Sequence, residues 1–170
     1  WTFDPRIEPH HRPLILYEYQ KDAVRWLIDH INNGKHCLIE KSRDMGVTWL
    51  MIWVFVWYWL FRDGVNLLMG SFKEKLVDDR SDDSIFGRID YAIENLPKWI
   101  LPKGFNKNKH RTQMKLVNPM NYNLISGDTM NPDFGRGSRK TAIFFDELGS
   151  WDYAKEAWDG CDDTTTCKIA

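Results

Sequence analysis

What the sequence has little of narrows its class first. Only three cysteines occur in 170 residues, Cys37, Cys161 and Cys167, and none stands in a C-x-x-C pair. Neither a disulfide framework nor a thiolate zinc site is expected, and a reducing cytosol fits best. The five histidines have no metal-ligand spacing, and His10-His11 reads as a solvated turn. Neither sign of charge is in excess. With a net charge of −1, a nucleic-acid partner would have to meet a local patch. No apolar run reaches the ~18–20 residues that span a bilayer. The longest, residues 46–61, carries Trp49, Trp53, Trp57 and Trp59 and stops at Arg62-Asp63-Gly64. A helix apolar all round is buried in a protein core, so no membrane role is expected. No signal peptide, internal repeat, low-complexity tract or linker is visible in residues 1–170, and one α/β domain over them is expected. A start at Trp1 and an end at Ala170 inside an apolar run read as a fragment of a longer protein.

What is present reads as strands and helices in alternation. Residues 1–13, rich in Pro, His and charge, form an extended arm. Residues 14–31 are helical, with Ala23, Val24, Trp26, Leu27, Ile28 and Ile31 near a 3.6-residue period. Asn32-Asn33-Gly34 stops them. Residues 36–40 form a short strand, 46–61 a long helix, 65–71 a buried strand, and 72–80 a mixed polar stretch. Ser81-Asp82-Asp83-Ser84 is an N-cap cluster for a helix over 82–95, broken by Pro97 and Pro102. Strands at 113–117 and 122–126 are joined by the turn Asn118-Pro119-Met120-Asn121. Residues 127–140 are a loop, 153–160 a short helix and 164–170 the start of another strand. The pairs Asp78-Asp79, Asp82-Asp83 and Asp162-Asp163 read as caps and solvated turns. The one locally basic stretch, 98–115, holds Lys98, Lys103, Lys107, Lys109, His110, Arg111 and Lys115. Clustered cations suffice to touch a DNA backbone, although such a run is more often a solvated loop.

Two stretches carry chemistry. Glu40-Lys41-Ser42-Arg43-Asp44-Met45-Gly46-Val47-Thr48-Trp49 joins a strand to a helix, a geometry that offers backbone N–H groups to a phosphate. Aligned on G-x-x-x-x-G-K-[ST], Gly46 and Thr48 fit. Lys41 stands at the first glycine, and Val47 replaces the lysine. About a hundred residues later, Thr141-Ala142-Ile143-Phe144-Phe145-Asp146-Glu147 is an apolar strand ending in two acids. That ending lies at the carboxyl edge of a sheet, where ligands of open α/β folds bind. An Asp there can hold Mg²⁺, and the adjacent Glu can polarise an attacking water. Each stretch alone has a plainer reading, an ordinary turn or a solvated acidic strand end; the ordered pair is the stronger sign. Gln20 follows Leu16-Tyr17-Glu18-Tyr19. Its amide can pair with N6 and N7 of adenine and a nearby Tyr can stack on the base, although a surface Gln in a first helical turn is the commoner case. Gly135-Arg136-Gly137-Ser138-Arg139 can set a guanidinium against an anion; the plainer reading is a flexible basic loop.

Taken in order, Leu16-Tyr17-Glu18-Tyr19-Gln20, residues 41–48, Phe134-Gly135-Arg136-Gly137 and Ile143-Phe144-Phe145-Asp146-Glu147 resemble the ATPase domain of large terminases. Those are the motors that package double-stranded DNA into tailed-phage procapsids, and the resemblance spans nearly the whole chain. It implies a RecA-like/ASCE P-loop NTPase fold, a mostly parallel sheet flanked by helices, that hydrolyses ATP with Mg²⁺. By position, Gln20 corresponds to an adenine-reading glutamine. Lys41, Ser42, Arg43, Asp44, Met45, Gly46, Val47 and Thr48 correspond to the nucleotide-binding Walker A loop. Thr48 and Asp146 (Walker B) correspond to the metal residues and Glu147 to the catalytic carboxylate. Arg43 corresponds to a loop arginine acting in cis and Arg136 to an arginine finger reaching a neighbouring subunit, with Arg139 the second candidate for that finger. Val47 departs from the commoner pattern. Some terminases carry the lysine at the start of the loop, where Lys41 stands, and either Lys41 or Arg43 is the main loop cation. The implied partners are double-stranded DNA, portal protein, a small terminase subunit and further copies of the chain in a ring on the portal, in the host cytoplasm. The family's coupling motif and nuclease domain would lie beyond Ala170. Two other classes remain open: another ASCE ATPase such as a superfamily 2 helicase, against which Val47 argues, and a non-catalytic nucleotide-binding or scaffold module. A membrane-associated protein has only the aromatic helix in its favour.

Overall fold

The computed structural model describes residues 1–42 and 44–170. The arm at the start is a two-stranded antiparallel ribbon, β1 (Thr2–Phe3) and β2 (His11–Arg12). Tyr91 and Trp53 hold it, donating from Oη and Nε1 to the carbonyls of Thr2 and Trp1, each at 3.1 Å. Helix α1 (Glu18–Asn33) follows. It begins four residues later than its apolar pattern suggests. The Gln20 side chain accepts the Tyr17 backbone N–H at 3.0 Å and so caps the helix there. Gly34, in the left-handed region at φ 60°, ends it.

The expected strand over 36–40 becomes an edge. Cys37 N–H donates to Lys168 O at 2.7 Å, Ala170 N–H to Cys37 O at 3.1 Å and Ile39 N–H to Ala170 O at 2.6 Å. Leu38 points outward, 78% exposed. Helix α2 (Val47–Phe61) comes next, with Leu50, Met51, Ile52, Val54, Phe55, Val56, Tyr58 and Trp59 all buried. Among the described residues no helix is long and apolar enough to cross a membrane.

Strand β3 (Asn66–Ser71) leads into a one-turn helix α3 (Glu74–Val77) in the stretch read as mixed and polar. Helix α4 (Ile85–Glu94) is capped by Ser84, whose hydroxyl accepts the Gly87 N–H. One-turn α5 (Lys107–His110) precedes β4 (Arg111–Thr112), β5 (Lys115–Val117) and β6 (Leu124–Thr129). Then come β7 (Ala142–Phe145), α6 (Ala154–Gly160) and β8 (Lys168–Ile169).

The sheet is mixed, in the order β4-β5-β6-β3-β7-β8. Its centre is parallel: β6 with β3, β3 with β7, and β7 with β8. Its far edge is antiparallel, with β5 and β6 joined by the 118–121 turn as a hairpin. Alternation along the strands divides the core between two faces. Leu67, Met69, Ala142 and Phe144 face α1, α2 and α4. Leu68, Ile143 and Phe145 face Phe134, Trp151, Ala157 and Cys161. The result is a six-stranded sheet flanked by helices.

One acid read as solvated is not. Asp78 is buried and takes two hydrogen bonds from Arg111, at 2.8 and 2.9 Å. It also accepts the Met114 N–H at 2.6 Å. Asp162 pairs with the buried ammonium of Lys168. Arg111 is 33 residues from Asp78, so local polarity alone misreads that acid, whereas Asp162 stays exposed beside its partner.

Candidate functional site

The carboxyl ends of the parallel strands meet the 44–49 turn at one edge. In that turn Gly46 adopts φ 74°, a left-handed conformation that glycine enters without a Cβ penalty. Its Cα faces Gln20 closely enough that an added Cβ would lie 3.3 Å from Nε2. Gln20 is buried, and its Nε2 donates to the Met45 carbonyl at 3.0 Å. With Oε1 on Tyr17, one N–H and one lone pair of the amide remain. The Tyr17 and Tyr19 rings beside it are exposed and stacked, centroids 5.7 Å apart.

Thr48, in the first turn of α2, donates from Oγ1 to Asp146 Oδ1 at 2.9 Å. These residues are 98 apart in sequence. The Asp146 backbone is held from both sides: its N–H donates to Gly70 O at 2.8 Å, and its carbonyl accepts from Trp151 Nε1 at 3.0 Å. Burial pushes the Asp146 carboxyl above the ordinary carboxylate range, and the Glu147 charge adds to this. The Thr48 hydroxyl and the charges of Arg88 and Lys41 oppose it. Glu147 is exposed and sits at φ 55°, ψ 45°, a conformation costing a non-glycine residue about 1–2 kcal/mol. Strain of this kind gathers at functional sites.

A cavity of about 580 Å³ opens over this edge, lined by Lys41, the 44–49 turn, Arg88, Glu147 and the β1–β2 ribbon. The ribbon closes one wall through Arg6, whose Nη1 donates to Asp44 Oδ2 at 2.9 Å. Among the described residues no cluster of three His, Cys, Asp or Glu could hold a metal. The Thr48 hydroxyl and Asp146 carboxylate do suit Mg²⁺, a hard cation that keeps waters and takes phosphate oxygens beside one or two protein ligands. The half-buried carboxylate has no ion-pair partner among the described residues, a lack that such a cation would meet.

The other candidates are placed as follows. Lys41 and Ser42 are exposed, and Lys41 lines the cavity with Glu147. Val47 packs against the core. Arg43 lies outside the described residues. Arg136 is exposed, pairs with Asp133 at 2.7 Å and does not line the cavity. Its loop is anchored by the buried ring of Phe134, which occupies the space where a Cβ on Gly70 would stand. The Arg139 carbonyl accepts from Asn66 Nδ2 at 2.8 Å, at the amino end of β3 and so at the opposite edge. Within the basic stretch, Arg111 is tied to Asp78 and Asp90, and Lys107 to Asp90 and Glu94. Lys98, Lys103 and Lys109 are exposed. Sequence reasoning missed Arg88 and the ribbon arginines. Only tertiary packing brings them to the turn, and the sole local hint is that a Ser84 cap puts residue 88 in the opening turn of a helix.

No family model and no curated protein matches this chain. Among solved structures, the large terminase of the HK97 bacteriophage matches with a TM-score of 0.65 over 96% of this chain, at 14% sequence identity. The matched part is 34% of that protein, so this chain spans about a third of the terminase's length. The chain thus has a terminase-like α/β fold.

Proposed function

We propose that the chain is a Mg²⁺-dependent ATPase unit of a viral DNA-packaging motor, built on a RecA-like/ASCE P-loop core. The observation that carries this reading is the 2.9 Å hydrogen bond from Thr48 to Asp146, with Glu147 next in sequence. A hydroxyl opening a helix after a glycine turn, set against an acid that ends a central parallel strand, is the arrangement for a metal–phosphate pair. The backbone of residues 41–46 cradles the phosphates, with Lys41 and Arg43 as the loop cations. Mg²⁺ at Thr48 and Asp146 would neutralise phosphate charge there. Glu147 orients water for in-line attack on the terminal phosphate. Gln20 keeps the turn in shape and has one N–H and one lone pair left for an adenine edge. Arg136, outside its own chain's cavity, suits a finger for the nucleotide of a neighbouring copy in a ring; Arg139 is the alternative. Double-stranded DNA, portal protein and a small terminase subunit are the proposed partners, in the host cytoplasm. The likeness to the HK97 large terminase supports this choice among ATPases.

The test is calorimetric binding of a non-hydrolysable ATP analogue with and without Mg²⁺, wild type beside Thr48→Val. The wild type should bind about tenfold or more tightly with Mg²⁺, and Thr48→Val should lose that gain. A folded wild type that binds no nucleotide at millimolar concentration would rule the reading out.

A further inference from the structure

We propose that Arg88 is a further nucleotide-binding cation, holding the terminal phosphate from within the same chain. This rests on the ATPase reading and adds to it a residue that none of the motifs contains. Arg88 lies in the opening turn of α4, and that turn is clamped. The Ser84 hydroxyl accepts the Gly87 N–H at 3.1 Å and donates to Ser81 O at 3.0 Å. Gly87 sits so close to the Ser81 carbonyl that a Cβ there would collide with it. The 81–84 turn is therefore pressed onto the helix, and Arg88 Nε donates to Asp82 O at 3.1 Å. That contact fixes the guanidinium by its inner nitrogen. The two terminal nitrogens have no hydrogen-bond acceptor among the described residues.

Charge accounting points the same way. The cavity over the turn holds four described cations: Arg6, Arg12, Lys41 and Arg88. Arg6 is paired with Asp4 and Asp44, and Arg12 with Asp4. Lys41 and Arg88 have no ion pair among the described residues, although Asp83 and Glu147 line the same cavity. A structural surface arginine commonly settles on an acid. This one is held open, over the first turn of α2, with its guanidinium carbon 5.9 Å from the Trp49 ring centroid. A planar fork with two free ends suits a phosphate bidentately. Its position also selects which phosphate. Gln20 and the two tyrosines mark the base end, whereas Arg88 shares its cavity with Thr48 and Glu147. That is the metal end, where the terminal phosphate lies.

Calorimetry on wild type, Arg88→Ala and Arg88→Lys, with a non-hydrolysable ATP analogue and with ADP, tests this. Charge-assisted hydrogen bonds of this kind correspond to about a tenfold to hundredfold change in affinity. Arg88→Ala should weaken the ATP analogue by at least about tenfold and ADP by less than ~threefold. Arg88→Lys, which keeps the charge and the stem, should recover part of the loss and serves as the folding-neutral variant. Wild-type affinity for both nucleotides in both variants would overturn the proposal and leave the ATPase reading standing. Equal losses for ATP and ADP would overturn the terminal-phosphate assignment. A wild type that binds neither nucleotide would remove the ATPase reading and this proposal with it.

Discussion

Replacing Gln20 with Leu removes an amide at the junction of two elements while roughly keeping its volume. Two hydrogen bonds go: from Tyr17 N–H to Oε1 and from Nε2 to Met45 O, both 3.0 Å. Each is worth about 1 kcal/mol net, and more where an abandoned partner stays away from water. The side chain is 6% exposed, so solvent replaces the amide poorly. The expected loss of stability is about 2 kcal/mol, roughly a thirtyfold fall in the folding equilibrium constant. The functional effect follows from where the second bond ends. Met45 precedes Gly46, whose left-handed backbone turns the chain into α2. Without its tie to α1, the turn must be ordered by the ligand, which weakens ATP and GTP analogues alike, by about tenfold for a cost near 1.4 kcal/mol. Any additional loss confined to ATP measures base reading by the remaining amide groups. Urea unfolding reads the first effect and calorimetry with both analogues the second. An unchanged urea midpoint together with unchanged GTP affinity would refute the positional role of Gln20.

Two more outcomes are expected. Asp146→Asn should abolish Mg²⁺-dependent nucleotide binding yet raise the stability of the nucleotide-free protein at pH 7.5 by about 1 kcal/mol, as functional acids often trade stability for activity. Burial raises the folded-state pKa of Asp146 above its unfolded value. Its contribution is therefore fully present below about pH 4, the unfolded value, and is lost as pH rises through the folded one. The variant's advantage should appear only on the alkaline side, which urea melts across pH 4 to 8 would read; an advantage independent of pH would refute the cause. Phe134→Ala should cost about 3–5 kcal/mol, because the ring is fully buried against Phe145 and Trp151, with centroids 5.1 and 4.9 Å away. A fall in the urea midpoint at constant slope would show it, and a loss below about 1 kcal/mol would mean that the site collapses to fill the space.

The elements legible in the sequence were those whose signals are local. Helix α2 is a continuous apolar run, α4 has a Ser84 cap, and the β5–β6 hairpin has Asn and Pro in its turn. The order of the two motif stretches also carried the Thr48–Asp146 meeting, because the carboxyl edge of a parallel sheet gathers strand ends far apart in sequence. What was illegible depends on partners. The 36–40 strand shrinks to an edge segment because β8 offers it only a few backbone groups. Residues 14–17 leave the helix because Gln20 caps it at Tyr17. Asp78 looks like a turn acid until Arg111, 33 residues on in edge strand β4, meets it. Arg88 looks like any surface cation of an amphipathic helix until the 81–84 turn fixes its inner nitrogen.

The second, smaller core ties the acidic end of β7 to the loop that carries Arg136. Trp151 donates to the Asp146 carbonyl and packs edge-on against Phe134, which lies two residues before Arg136. Phe145, one residue before Asp146, touches both rings, with centroids 5.1 Å from Phe134 and 5.6 Å from Trp151. The acids of one chain's site and the base of the loop carrying its exposed arginine thus share one packed aromatic cluster. Interiors of this density shift between discrete arrangements rather than deform by degrees. A change in the Thr48–Asp146 contact has a short route of rings to the Arg136 loop, while the salt bridge to Asp133, exposed on both sides, offers little resistance. Arg136 thus stands two residues from a packed core, with its tip exposed and tied to Asp133 by a surface ion pair. In the proposed ring, a finger registered to its own site and still able to reach a neighbour's nucleotide needs a firm base and a weakly held tip.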